Sequence, residues 1–253
     1  MRASRLLGIP VSNGRVEALI GHILSHPGIV LTPNVDHLVL VHESPALREA
    51  YLDAEHHVLD SRVVFLLSRL FGPAFESYVP GVELCERLLA RSRQTERRRV
   101  FLFGGETAEL CERAKKFAHD RWPGIQIVGT LSPPFGYEKD PAQIRRYVDE
   151  VLASDPDFVV IGVSFPKQLD FARALRQASA RPRTYLCVGA TLNFWAGYER
   201  RAPAWMNRFG VEWAYRLFQN PRRMIGRYLG RDLRFFPYYF VDRIKARFGS
   251  RNA

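Results

Sequence analysis

The sequence predicts an α/β protein: a largely parallel β-sheet sandwiched by helices, carrying a basic, helical appendage at its C-terminal end. Three observations carry this. Short apolar runs alternate with segments of helical period of about 10 to 15 residues, the pattern of repeated βαβ units. The runs stop abruptly on turns of Pro, Gly, Asn or Asp, as strands buried on both faces of a parallel sheet do. After Gly197 the alternation ends, and arginines interleaved with aromatics take over.

Taken in order, residues 1–15 hold a short apolar patch with neither a long hydrophobic core nor a small-residue cleavage site. Residues 16–24 follow the turn Ser12-Asn13-Gly14 with the spacing of an amphipathic helix. The chain is organised around G-I-V-L-T-P-N-V-D at residues 28–36. Ile29, Val30 and Leu31 read as a buried strand that Pro33 ends, and Asn34 can cap a following helix. That helix breaks at Ser44-Pro45, where a cap followed by Pro restarts it through Leu52. Residues 57–60 form a short strand ending on Asp60-Ser61, before the apolar run 63–70. V-P-G at residues 79–81 turns into a helix at 82–90. Further strands are expected at 99–103, 125–128, 157–163 and 184–188, with helices at about 106–120, 141–152 and 168–177, and another at about 211–219. The expected division is a catalytic body at 1–199 and an appendage at 200–253.

Composition narrows the class. With 47% hydrophobic and 25% charged residues the 253-residue chain can bury a full core. No run approaches the roughly 20 apolar residues of a spanning helix, so the expectation is a cytoplasmic protein that does not cross the bilayer. Cys85, Cys111 and Cys187 lie far apart in apolar segments, as buried reduced thiols do. The net charge of +11 is unevenly placed: residues 200–253 hold 13 Lys and Arg against three acids, a net +10, and 12 of the chain's 31 aromatics. A basic, aromatic tail on a neutral body fits an anionic partner: ligand phosphates, a lipid surface or nucleic acid.

A parallel sheet presents all its strand ends to one edge, where open α/β sheets bind ligands. The residues brought there are Thr32, Asn34, Asp60, Gly104, Gly105, 164–168 and 189–193. Asp60 is the carboxylate directly at such an end; it reads as a general base for a hydroxyl nucleophile, or as the cap of the following helix. Gly104-Gly105 could admit a phosphate to helix amides, although F-L-F-G-G-E is neither a dinucleotide fingerprint nor a Walker motif. Lys167 and Gln168, at a helix start, suit either a ligand or solvent. Asp155-Pro-Asp157 has the look of a metal-holding D-x-D, but it precedes its strand and belongs to the opposite edge, so it reads as a turn. The seven histidines have no metal-ligand spacing, and no metal site is expected.

With those residues in hand, the sequence resembles the WecG/TagA/CpsF glycosyltransferases, bacterial enzymes that add a sugar from a nucleotide donor to a polyprenyl-diphosphate-linked sugar. The likeness covers nearly the whole chain. It rests on T-P-N-V-D at 32–36, the Asp60 turn, V-P-G at 79–81, V-F-L-F-G-G at 100–105 and P-K-Q at 166–168. Its strongest piece is A-G-Y-E-R-R-A-P-A-W, followed by G-V-E-W-A-Y-R-L-F-Q-N-P-R-R, within residues 196–223. The resemblance implies a Rossmann-like catalytic domain with Asp60 as base, and with Thr32, Asn34, Gly104, Gln168 and Asn193 in the pocket. It also implies that Arg201, Arg216, Arg223 and Arg227 of the appendage meet the diphosphate. The implied reaction inverts the anomeric centre and uses no metal or cofactor, the UDP-sugar being a substrate. The implied partners are a UDP-sugar, the polyprenyl-diphosphate acceptor and an anionic inner-membrane face, on which the enzyme is peripheral; oligomeric state stays open. Ser61 where the family usually has Gly, Leu169 where it has Glu, Asn193 where it often has Asp, and Tyr78 where many members have a basic residue all bear on the donor sugar. A β-glucosyl donor for an exopolysaccharide and an N-acetylmannosaminyl or mannosaminuronyl donor are both compatible. Two other classes compete: a nucleic-acid binder using the tail, and a sugar- or nucleotide-binding regulator without catalysis. The first leaves the polar strand ends without a purpose, and the resemblance implies no nucleic acid.

Overall fold

The structure is a computed structural model and describes residues 2–92, 98–203, 206, 212–219 and 221–249. Its first residues make an element that the apolar patch did not announce: β1 (Ala3–Leu6) and β2 (Ile9–Ser12) pair as an antiparallel hairpin. The turn between them uses Leu7 and Gly8, both at positive φ. Pro10 and the two arginines had masked the alternation, yet Leu6, Ile9 and Val11 all point into the core.

The remaining strands, β3 (Ile29–Leu31), β4 (His56–His57), β5 (Arg99–Gly104), β6 (Gln126–Leu131), β7 (Phe158–Gly162) and β8 (Thr184–Cys187), form one sheet in the order β4-β3-β8-β7-β5-β6. Every pairing in it is parallel. The pleat explains why the strands read as continuous apolar runs. Ile29, Leu31, Phe101, Phe103, Val159, Ile161, Tyr185 and Cys187 enter one core layer, while Val30, Val100, Leu102, Val160 and Leu186 enter the other. Alternate residues are therefore buried on opposite faces, and both must be apolar.

Helices fill the two layers. One face is covered by α1 (Val16–Ser25), α5 (Gly81–Ser92), α6 (Ala108–Arg121) and α9 (Thr191–Trp195). The other holds α2 (Val35–Glu43), α3 (Pro45–Leu52), α7 (Pro141–Ala153), α8 (Lys167–Ala178) and part of α4 (Arg62–Phe71). The starts of α2, α3, α6 and α7 obey the sequence: Asn34, Ser44, Thr107 and Asp140 each accept a backbone N–H of the first turn, a cap of about 1 kcal/mol apiece.

The appendage comprises helices at Glu212–Gln219 and Pro221–Ile225, a π-helical turn at Gly226–Arg231, a 3-10 turn at Asp232–Arg234 and a final helix at Phe235–Gly249. Its last part is built into the body. Phe235 and Tyr239 are fully buried in the layer that also holds Leu6, Ile9 and Leu38. The Tyr239 hydroxyl donates to the Gly72 carbonyl (2.6 Å), the Tyr238 hydroxyl to Glu43 (2.9 Å), and Arg234 pairs with the same glutamate (2.9 Å). Among the described residues, no helix is long and apolar enough to cross a membrane.

Candidate active site

A cleft of about 750 Å³ runs along the carboxyl ends of the parallel strands, and Thr32, Asn34, Asp60, Lys167, Gln168, Asn193 and Arg227 all line it. Residues separated by as much as 195 positions meet there because every strand delivers its end to the same edge. Thr32 is buried, and its hydroxyl donates to the Cys187 carbonyl (3.2 Å), tying the β3 and β8 ends together. Asn34 accepts the His37 N–H (3.1 Å) through its Oδ1, so what it offers a ligand is chiefly its amide N–H₂. Gln168 is likewise buried; its Oε1 accepts the Gly189 N–H (3.1 Å) and props the loop after β8.

Asp60 does not cap the helix that follows it. Ser61 does, accepting the Val64 N–H (3.3 Å). The Asp60 carboxylate instead accepts the Gly81 N–H (3.0 Å) at the first turn of α5. This gives V-P-G its physical meaning. A Cβ on Gly81 would sit 3.3 Å from the Thr32 hydroxyl, so glycine lets α5 close on Thr32 and Asp60 together. The Asp60 N–H donates to the Pro33 carbonyl (3.1 Å), which holds the carboxylate on the same side as the Thr-Pro-Asn turn.

The wall supplied by the appendage is electrostatic. Arg231 pairs with Asp36 (2.8 Å), and Arg227 lies between Asp36 (3.6 Å) and Asp232 (3.5 Å). Burial pushes Asp232 up to about 6, with Asp36 adding to the shift and the two arginines opposing it. His37, stacked on Phe165 at 4.1 Å, is driven down to about 3, first by burial and then by the Arg227 charge. It is therefore a neutral wall of the cleft near pH 7. On the far side Lys167 pairs with Glu138 (2.7 Å) and lies 4.8 Å from the ring centre of Phe135.

Two expected placements come out differently. Gly104 does not line the cleft, although Gly105 does. Gly104 has φ +131°, and a Cβ there would meet the Gly162 backbone at 2.6 Å, so close approach of β5 to β7 accounts for it. Arg201 points away from the cleft and pairs with Glu86 (2.5 Å), which also accepts from the Trp195 indole (3.3 Å). The side chains of Arg216 and Arg223 lie outside the described residues. The D-x-D aspartates sit at the opposite edge, where Asp155 and Asp157 pair with Arg181 (3.0 Å each). Asp36, His37, Gly81 and Glu199 are cleft residues that sequence reasoning did not single out. Asp36, Gly81 and Glu199 stood inside quoted motifs; His37 lay just outside one.

The sequence model of the Glycosyl transferase WecG/TagA/CpsF family matches residues 4–249. The chain is 31% identical over 176 residues to the N-acetylglucosaminyldiphosphoundecaprenol N-acetyl-beta-D-mannosaminyltransferase of Bacillus spizizenii. That likeness covers 69% of this chain and 65% of the relative, slightly under two thirds of the relative's length.

Proposed function

Since the chain belongs to the WecG/TagA/CpsF glycosyltransferase family, we propose that its cleft transfers a sugar from a UDP-sugar to a polyprenyl-diphosphate-linked glycan, with inversion. The observation that carries this reading is the convergence of Asp60, Thr32, Asn34, Gln168 and Arg227 on one cleft at the carboxyl edge of the sheet. In the reaction an acceptor hydroxyl oxygen attacks the anomeric carbon while its proton passes to the Asp60 carboxylate. The bond from that carbon to the UDP oxygen breaks, and UDP leaves with the electron pair. The Gly81 N–H orients the carboxylate at the strand end, where a general base is needed.

A departing diphosphate needs positive charge. Arg227 is at hand, and the appendage that carries it has 13 basic residues against three acids. Guanidinium forks suit phosphate oxygens and support a reaction that needs no divalent ion. The name of the Bacillus relative favours N-acetylmannosaminyl over glucosyl transfer. The acceptor's lipid fixes the working place at the inner membrane face. There the exposed Leu70 and Phe71 of α4 and Val241, Ile244 and Phe248 of the final helix, flanked by Arg69, Lys245 and Arg247, form a greasy, basic face. Each basic residue close to an anionic surface adds roughly 1 kcal/mol of attraction.

The test is transfer itself: the full chain incubated with UDP-N-acetylmannosamine or UDP-glucose and a synthetic polyprenyl-diphosphate N-acetylglucosamine, with UDP release and product mass followed. UDP release that requires the acceptor supports the proposal, and the faster donor assigns the sugar. Absence of transfer from both donors by folded protein would sink it.

A further inference from the structure

Glu199 stands on the cleft wall without a part in the reaction just described, and its setting is unusual for a surface glutamate. After α9 the chain reverses at Gly197, which has φ +77°. The reversal brings the Tyr198 and Glu199 N–H groups onto the Asn193 carbonyl (2.9 and 3.2 Å), and the Asn193 side-chain amide donates back to Glu199 Oε1 (3.1 Å). Two of these three hydrogen bonds fasten residues 193 and 199 to one another, and both residues line the cleft. α9 follows β8, which is two strands from β4 in the sheet, so the bracket and Asp60 line the same cleft from different strand ends.

The charge is what needs explaining. Asp36 is neutralised by Arg231 and Glu138 by Lys167, while Glu106 is exposed to solvent. Glu199 is half-buried and, among the described residues, is held by a neutral amide. It stands in a cleft whose proposed ligand carries two phosphates. Towards phosphate such a group is repulsive. It helps binding only by accepting hydrogen bonds, and in a nucleotide sugar the paired donors that match two carboxylate oxygens are vicinal hydroxyls. Among the described residues, Oε1 accepts from the Asn193 amide alone and nothing donates to Oε2.

We infer that Glu199, fixed in place by Asn193, is a binding residue that receives a vicinal diol of the donor. This deepens the glycosyltransferase reading and rests on it. The diol belongs either to the ribose or to the transferred sugar, and titration calorimetry on the full chain separates the two. The ligands are UDP, 2′-deoxy-UDP and UDP-N-acetylmannosamine, applied to the unaltered protein, Glu199→Gln and Asn193→Ala, with thermal melts confirming that each variant is folded. Loss of a charged hydrogen bond predicts about tenfold or more weaker binding by Glu199→Gln. For a ribose diol the loss appears with UDP and shrinks with 2′-deoxy-UDP. For the sugar's diol it appears with UDP-N-acetylmannosamine alone. In either case Asn193→Ala loses less, and adding it to Glu199→Gln costs nothing more, because the amide acts through the carboxylate. Equal affinity of Glu199→Gln and the unaltered protein for all three ligands overturns the inference and leaves the glycosyltransferase reading standing. Failure of the unaltered protein to bind any of them removes that reading and this inference with it.

Discussion

The local question at Asp60 is whether one carboxylate can serve as both brace and base. Its Oδ1 accepts the Gly81 N–H, a bond that an Asn side chain can also accept. Asp60→Asn should therefore fold as the parent does and lose roughly 10² to 10⁴ in kcat as proton transfer fails, with donor affinity nearly unchanged. Asp60→Ala should lose the brace as well, and its melting temperature should fall below that of Asp60→Asn. Full turnover in both would remove Asp60 as the base. Arg227 predicts the opposite split. Its charge is directed at the diphosphate, so Arg227→Ala should weaken UDP binding by about tenfold or more and flatten the salt dependence of that binding. Unchanged affinity and salt dependence would show that Arg227 serves only Asp36 and Asp232.

Between elements, the joint of appendage and body is a small cluster of charges: Asp36 on α2 facing Arg227, Arg231 and Asp232. Burial raises Asp232 to about 6, so the folded protein holds a proton there that the unfolded chain gives up near its ordinary value of 3.8. The folded state binds more protons than the unfolded one between those values, and stability falls as pH rises through that window. Asn does not titrate. The stability of Asp232→Asn relative to the parent should thus improve between pH 5 and pH 8, by about 1 to 2 kcal/mol, the pairing with two partly solvated arginines limiting the gain. Denaturant melts at the two pH values would read it. A difference that stays constant with pH would mean that Asp232 is not desolvated in the protein.

For the molecule as a whole, the appendage cannot be treated as a detachable tail. Phe235 and Tyr239 are fully buried against the body, and deleting residues 200–253 would open that core along with any membrane contact. The discriminating change lies on the surface. Leu70, Phe71 and Ile244 are 75%, 54% and 56% exposed, and replacing all three by Ser should cost little stability. If this face enters the lipid headgroup region, the triple variant should lose at least tenfold in binding to anionic vesicles, since each buried apolar side chain of this size is worth about 1.5 to 3 kcal/mol. UDP binding should be retained. Undiminished vesicle binding would place the membrane face elsewhere.

The sequence by itself determined the sheet and the edge that matters. Strand runs, caps such as Asn34 and Asp140, and the turns at Pro33, Gly81 and Gly105 are local signals, and each is written within a few residues. It also named Asp60, Thr32, Asn34 and Gln168, because a strand end is legible as an apolar run that stops on a polar residue. The hairpin at the start escaped notice because Pro10 and flanking arginines hide a two-residue alternation that acquires meaning only against the final helix. Tertiary structure alone decided the partners: Asp60 with Gly81, Asp36 with Arg227 and Arg231, Asn193 with Glu199, Arg201 with Glu86 away from the cleft. Periodicity records which face of an element is buried, whereas a hydrogen bond between distant residues depends on strand order and on the angle at which each loop leaves the sheet. Neither is encoded in any local stretch of the chain.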